Sequence, residues 1–162
     1  MDLTLTKITI GQQTFWLGST TKGLAFVGSA NGPDDEWQQF YPDANTHFDD
    51  TANQMTAQAL TTYLNGQKTE FDLPLDLTHG TTFQQQVWGG LRQIPYSQTW
   101  TYTTLAERLN RPTATRAIAS AVGRNPILII VPCHRVIRKD GQLGGYRGGL
   151  AMKRQLLRLE HA

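Results

Sequence analysis

Residues 101–126 read TYTTLAERLNRPTATRAIASAVGRNP, and this stretch decides the architecture of the C-terminal half. Thr104 and Glu107 stand at capping-box spacing ahead of Leu105 and Leu109, which predicts a short helix. Arg111-Pro112 makes a turn, Thr113 caps a second helix, and Asn125-Pro126 ends it just past Gly123. Two short helices joined by a tight turn resemble a helix-turn-helix, although many helical domains contain such a pair. In the second helix Ala114, Ala117, Ile118, Ala121 and Val122 form an inward face. Arg116, Ala119, Ser120 and Gly123 fall on the other side, one arginine followed by a smooth stripe where a solvated helix normally carries long charged side chains. Small residues permit close packing on another helix or close approach to a nucleic-acid groove. Arg108, Arg111 and Arg124 nearby favour the groove.

Outward from that stretch, the charge divides along the chain. The formal net charge of the 162 residues is +2. Residues 1–80 hold three basic side chains, Lys7, Lys22 and Lys68, against ten acidic ones, giving −7. Residues 81–162 hold twelve basic side chains against Glu107, Asp140 and Glu160, giving +9. Such a break predicts two units, an acidic one over 1–79 and a basic one over 80–162 suited to a polyanion. The longest apolar run, Ile127–Val131, is far too short to cross a membrane. Met1–Ile10 lacks the basic-then-apolar pattern of an export signal, so a cytoplasmic protein is expected.

The acidic part alternates strand and helix signals. Leu3 and Leu5, then Ile8 and Ile10, suggest a strand with a turn or bulge between the pairs, and Thr14–Leu17 and Leu24–Val27 are further β-prone runs. Met55, Ala59, Leu60, Tyr63 and Leu64 mark one helix face that Gly66 can terminate. Phe71, Leu73, Leu75 and Leu77 alternate as a half-buried edge strand interrupted by Pro74. Asp34, Asp35 and Glu36 read as a solvated helix start ahead of Trp37 rather than a metal cluster. In the basic part Thr82 and Gln85 have capping-box spacing, and Phe83, Val87 and Leu91 share one face until Pro95 stops the helix.

After Asn125-Pro126, Ile127–Val131 reads as a buried strand that delivers Pro132, Cys133, His134, Arg135 and Val136. The single cysteine excludes an internal disulfide and a multi-cysteine zinc site. A lone cysteine is commonly an inert core residue. Here a base and a cation adjoin it, and a nucleophilic thiol needs one or the other. Adjacent side chains on a strand point to opposite faces, so a bridging water suits the Cys133–His134 geometry better than a direct bond.

Pro-Cys-His-Arg-Val at 132–136 resembles the active-site motif of the O6-alkylguanine-DNA alkyltransferases, also called methylated-DNA–protein-cysteine methyltransferases. The likeness runs in order from Thr82 to Glu160 through Phe83-Gln84, Val87-Trp88, Ile94-Pro95-Tyr96, Thr101-Tyr102, Leu105-Ala106, Arg116-Ala117, Asn125-Pro126, Gly144-Gly145-Tyr146, Gly148-Gly149-Leu150, Lys153 and Leu156-Leu157. The resemblance implies an α+β protein: a small N-terminal α/β domain, ribonuclease-H-like, followed by a mainly helical, winged helix-turn-helix-like DNA-binding domain.

It implies further that Cys133 attacks the alkyl carbon on guanine O6 in one displacement with no cofactor. His134 acts through a water as the base, Glu160 orients it, and Asn125 braces the turn before the active-site strand. The partner implied is double-stranded DNA entered from the minor groove, with the lesion base rotated out of the stack. Arg116 would fill the gap, and Tyr102 would help rotate the nucleotide. Ala119, Ser120, Arg124 and Arg135 complete the expected DNA face, and Val136, Tyr146 and Arg147 line the alkylguanine pocket. O4-alkylthymine is a second possible substrate. A monomer without membrane contact is expected.

This sequence departs from the family pattern at Ser97, where glycine is usual after Pro-Tyr, and at Ala119 and Ser120, where many members carry glycines. Arg147 fills a variable position where several members have a small residue, so it either narrows the pocket or contacts phosphate. No zinc is expected in the N-terminal domain, which has no cysteine and only His47 and His79. The alternatives are a lesion-binding relative that cannot transfer, a winged-helix regulator and a cysteine hydrolase. Cys133 argues against the first, the 132–136 block with Glu160 against the second, and the lack of an oxyanion-hole signal against the third.

Overall fold

In the computed structural model, residues 1–67 and 70–162 are described, so Lys68 of the acidic half lies outside the described residues. The chain divides into two compact units, Met1–Leu77 and Thr78–Ala162.

The first unit is built on a four-stranded sheet of β1 (Asp2–Ile10), β2 (Gln13–Thr20), β3 (Gly23–Val27) and β4 (Asn45–Phe48), in the order β3-β2-β1-β4. β1–β2 and β2–β3 are antiparallel hairpins, and β4 pairs parallel to β1. β1 runs unbroken in register with β2 from Thr4↔Ser19 to Ile10↔Gln13, so the expected interruption between its apolar pairs is absent. The pairs instead occupy opposite faces, because the side-chain period is two. Leu3 and Leu5 join Ala25, Phe26, Trp37 and Tyr41 in one cluster. On the other face Thr6 donates to the carbonyls of Asp49 and Ala52 and accepts from Asn53, seating the start of α1 (Gln54–Leu64).

Three expectations change here. In α1 it is Thr56, with Leu60 and Tyr63, that is buried, while Met55 is 70% exposed. Residues 71–77 form no strand. They touch β3 through one isolated parallel bridge, Leu24↔Leu75, with Leu24 N–H on Pro74 O at 2.9 Å and Asp76 N–H on Leu24 O at 2.7 Å. Gly23 makes this contact possible, since a Cβ there would sit 2.4 Å from the Pro74 carbonyl oxygen. Glu36 is buried rather than solvated, its carboxylate accepting from Ser29 N–H at 3.1 Å and from Ser29 Oγ at 2.5 Å. Among the described residues no group of three or more His, Cys, Asp or Glu is placed to hold a metal ion.

The second unit contains α2 (Thr82–Leu91), β5 (Trp100–Thr101), α3 (Tyr102–Arg108), α4 (Thr115–Gly123), β6 (Val136–Ile137) and α5 (Leu150–Leu159). The expected capping boxes sit too far along the chain. Thr81, not Thr82, caps α2, exchanging bonds with Gln84 at 3.0 and 3.1 Å, and Thr101 caps α3 by accepting Thr104 N–H at 3.1 Å. Ala114 rather than Thr113 stands at the N-terminus of α4, with no side-chain cap. Ile118, Ala121 and Val122 of α4 are buried while Ala117 is exposed, and Trp88 Nε1–H on α2 donates to Ala121 O at 2.9 Å. β5 and β6 pair in parallel over two residues, bringing the start of α3 beside the end of the cysteine segment. No helix among the described residues is long and apolar enough to cross a membrane.

Candidate active site and nucleic-acid face

Ile127–Val131 is buried as expected, but it is a turn rather than a strand. Val131 N–H returns to Ile127 O at 3.1 Å, and Ile129 has φ +70°, a region that costs a β-branched residue about 1–3 kcal/mol. Asn125 holds the turn from inside: Nδ2 donates to Val131 O at 2.8 Å, and Oδ1 accepts Ile127 N–H at 2.9 Å. The turn hands the chain to a single 3₁₀ turn, Cys133–Arg135, instead of an extended segment.

A 3₁₀ turn has three residues per revolution, so its side chains leave in three directions. Cys133, 5% exposed, lines a cavity of about 260 Å³ with Tyr102, Ala119, Val122, Gly123, Asn125, Leu128, Gly145, Tyr146 and Arg147. Burial pushes its thiol pKa up, against the lowering influence of the Asn125 amide and of the charges on Arg147 and Lys153. Burial likewise raises the phenol of Tyr102, with the Cys133 charge adding to it.

His134 turns inward, its Nε2 lying 2.7 Å from Oε2 of Glu160, and neither side chain reaches solvent. A carboxylate only accepts, so Nε2 carries the proton and Nδ1 is the basic nitrogen of the neutral ring. Burial pulls the imidazole pKa below its ordinary value; Glu160 pulls it partly back, and Arg135 and Lys153 lower it further. Glu160, which the resemblance implies as the group that orients the histidine, caps α5 in the interior.

Arg135 overturns the expectation of a DNA-facing cation. It is 8% exposed, and its guanidinium donates to Glu160 Oε1 at 2.8 Å, Glu160 Oε2 at 3.0 Å and Ile94 O at 2.8 Å. Val136 also departs from its expected place. It is buried, absent from the cavity lining, with its N–H on Cys133 O and its carbonyl accepting Lys153 Nζ at 2.7 Å.

Two participants carried no role in the sequence reading. Lys153 is fully buried on α5, its ammonium donating to the carbonyls of Val136, Leu143 and Gly145, and burial pulls its pKa down to about 8. A signal was available: Met152, Lys153, Leu156, Leu157 and Glu160 recur at helical spacing, placing a lysine and a glutamate on a core face. Ser97, at φ +67°, gives its N–H to Glu160 Oε1 at 3.3 Å and its hydroxyl to the Glu160 carbonyl, so it positions the carboxylate.

The outward face of α4 keeps its smooth stripe. Arg116, Ser120 and Gly123 are exposed and Ala119 is half-buried. A Cβ on Gly123 would meet nothing within 4 Å, so internal packing does not require a small residue there. Arg124 is exposed beside the stripe. Arg108 stacks over Trp100 at 4.9 Å, and Arg111 lies over Phe83 at 5.3 Å while donating to Gln86 at 3.0 Å.

A helix-turn-helix unit with a smooth outer helix, and a cysteine set in a cavity beside it, defines a helical DNA-binding module with a nucleophile site of its own. Comparison with known proteins agrees. Residues 82–162 match the DNA binding domain of 6-O-methylguanine DNA methyltransferase, and residues 4–77 match the ribonuclease-like domain of the same proteins. The inducible methylated-DNA–protein-cysteine methyltransferase of Bacillus subtilis is 47% identical over 150 residues, covering 90% of this chain and 83% of that protein. The Mycobacterium bovis methylated-DNA–protein-cysteine methyltransferase is 48% identical over 125 residues, covering 76% and 75%. The crystal structure of Mycobacterium tuberculosis OGT in complex with DNA superposes with a TM-score of 0.83 at 37% identity, covering 99% of this chain and 93% of that one. The chain belongs to the O6-methylguanine DNA methyltransferase family.

Proposed function

We propose that this protein repairs alkylated DNA by moving the alkyl group from guanine O6 to Cys133, once per molecule. One observation carries the reading: Cys133 lines the cavity while the next residue, His134, closes an internal pair with Glu160, 2.7 Å apart. The resting thiol is protonated, so its proton must leave before attack. His134 Nδ1 is the basic atom that takes it through a water, and the imidazolium then faces the Glu160 carboxylate. The thiolate forms an S–C bond to the alkyl carbon while the C–O6 bond breaks, leaving its electron pair on the guanine. Tyr102, at the cavity wall, is placed to give that guanine a proton. The product is a thioether with no good leaving group, which makes the reaction irreversible and the protein single-use.

The lesion must leave the duplex to reach Cys133. The α4 stripe of Ala119, Ser120 and Gly123 suits the narrow minor groove, Arg116 fills the vacated stack, and Arg124 meets phosphate. The protein acts as a monomer in the cytoplasm, and the same cavity admits O4-alkylthymine. Transfer of radiolabel from methylated duplex DNA tests the central claim. Wild type should take up one alkyl group per chain and Cys133→Ala none; equal labelling of both would end the reading.

A further inference from the structure

The pair of His134 and Glu160 has a third member, Arg135, to which the proposed chemistry assigns no task. The guanidinium and the imidazole share one oxygen of the carboxylate: Oε2 receives His134 Nε2–H at 2.7 Å and Arg135 Nη2–H at 3.0 Å. Arg135 Nε–H takes Oε1 at 2.8 Å, beside the Ser97 N–H at 3.3 Å. The remaining arm, Nη1, donates to Ile94 O at 2.8 Å, and Cζ lies 5.8 Å from the centre of the Tyr96 ring. A rigid fork with every arm bonded holds both itself and the carboxylate in one orientation.

The shared oxygen has an electrostatic consequence. A lone buried carboxylate beside an imidazole favours the imidazolium, because the cation gains an ion pair where no water screens it. A histidine that rests as the imidazolium cannot take a proton from a thiol. Arg135 offsets that tendency, since a carboxylate already paired with a guanidinium still accepts the Nε2–H bond but presents little net charge to the ring. Other charges around His134 do not share that carboxylate's side chain oxygens. α5 brings Lys153, whose ammonium is bonded to the carbonyls of Val136, Leu143 and Gly145, and turns Arg154 and Arg158 to solvent. α2 carries no charged side chain, the 94–97 turn contributes the Tyr96 phenol, and Cys133 lies on the cavity side. Burial, aided by Arg135 and Lys153, accordingly outweighs Glu160 and leaves the ring less basic than an ordinary histidine.

Resting on the alkyl-transfer reading of the site, we propose that Arg135 is a positioning residue that keeps His134 ready as the base: it fixes the Glu160 carboxylate and balances its charge, so the imidazole is oriented without being held protonated. No step is added to the reaction. The proton still passes from the Cys133 thiol through a water to His134 Nδ1, and the S–C bond still forms as the C–O6 bond breaks. Arg135 acts through Glu160 and touches neither the thiol nor the lesion. Its removal makes His134 a stronger base that is already occupied, so transfer fails first on the acid side.

The test titrates the His134 ring of the full chain by nitrogen NMR, assigned by difference against His134→Asn, and follows single-turnover rates on an O6-methylguanine duplex over the same pH range. Arg135→Gln keeps a donor but no charge, so His134 should titrate at higher pH than in wild type. The ratio of the rate at about pH 8 to that at about pH 5 should grow about tenfold. Arg135→Lys restores the charge and should return both readouts towards wild type. A purely structural role lowers the active fraction at every pH alike and leaves the titration in place, so an unmoved His134 in folded Arg135→Gln overturns the proposal, as does an equal rise in Arg135→Lys. Arg135→Gln/Glu160→Gln removes both charges and strands neither; its His134 should titrate no higher than wild type, and a rise there overturns the proposal too. The titration needs no DNA, whereas the alkyl-transfer reading fails when wild type takes up no methyl group, so the two failures are distinguishable.

Discussion

Arg135 is the side chain whose removal tests the interior of the site most sharply. Glu160 is fully buried and receives the His134 ring, two Arg135 donors and the Ser97 N–H. Arg135→Leu puts an apolar side chain in its place and takes away the full positive charge that Arg135 brings to that carboxylate. Breaking a buried ion pair by removing one partner costs about 3–5 kcal/mol. His134 and Ser97 still donate, which places the expected loss near the lower end, about 3 kcal/mol. With a urea dependence of about 1–3 kcal/mol per molar, the unfolding midpoint should fall by about 1–3 M. Urea titration followed by tryptophan fluorescence measures it, Trp88 and Trp100 reporting on this unit. The double variant Arg135→Leu/Glu160→Leu removes the stranded charge and should be more stable than Arg135→Leu alone. A loss under about 1 kcal/mol for Arg135→Leu, the size of an exposed pair, would refute the account of Arg135 as an interior strut.

Other expectations follow from the same geometry. Ser97→Ala loses the hydroxyl bond to the Glu160 carbonyl and keeps a Cβ at φ +67°, so it should lower stability by about 1 kcal/mol. Ser97→Gly loses the same bond but relieves a left-handed backbone by a similar amount, so its melting temperature should lie near wild type and above Ser97→Ala; the reverse order would contradict this. Burial holds His134 below its ordinary value of 6.5, so the unfolded chain takes that proton first. Stability from this group is then complete above about pH 6.5 and is lost as the pH falls towards the folded value. His134→Asn should flatten that acid limb in urea titrations at several pH values, and an unchanged limb would show that other groups cause it. Arg116→Ala should slow repair of duplex lesions about tenfold more than reaction with free O6-benzylguanine, because only the duplex requires flipping. Arg124→Ala should reduce the slope of log affinity against log salt by about one, measured by fluorescence anisotropy on a labelled duplex.

Much of the architecture was legible because it rests on local signals. The 101–126 stretch announced two helices by period and by Arg111-Pro112, and the structure keeps both, with Ile118, Ala121 and Val122 inside. The starts were misplaced because Thr recurs at 81, 82, 101, 103, 104, 113 and 115, and several of these threonines satisfy a capping pattern. Choosing among them takes the backbone geometry of the preceding residue, which spacing does not encode. The alternation was real as burial over 71–75 but breaks at Asp76, which is buried, and the segment meets β3 only at the Leu24 bridge beside Pro74. Parallel β4 escaped notice because its residues, Asn45 to Phe48, are mostly exposed, so no apolar alternation marks them.

The misreading of 127–135 is the instructive one, since an error of period displaced Arg135. Five aliphatic side chains in a row look alike whether the backbone is a strand or a buried turn, and Ile129 adopts a positive φ that its side chain disfavours. On a strand, Arg135 would return to the face of Cys133, beside the substrate. On the observed 3₁₀ turn the period is three, so Arg135 leaves in another direction and closes on Glu160. That change alters what the motif means physically. Cys133 belongs to the cavity, whereas His134 and Arg135 belong to the interior and meet on one carboxylate from the far end of the chain. The +9 of the basic half is therefore not all available to DNA. Arg135 and Lys153 are spent inside, and Arg147 bonds the wall of its own cavity. Arg116 and Arg124 stay exposed on the surface, so the salt dependence of the proposed DNA binding should be shallower than the sequence charge alone implies.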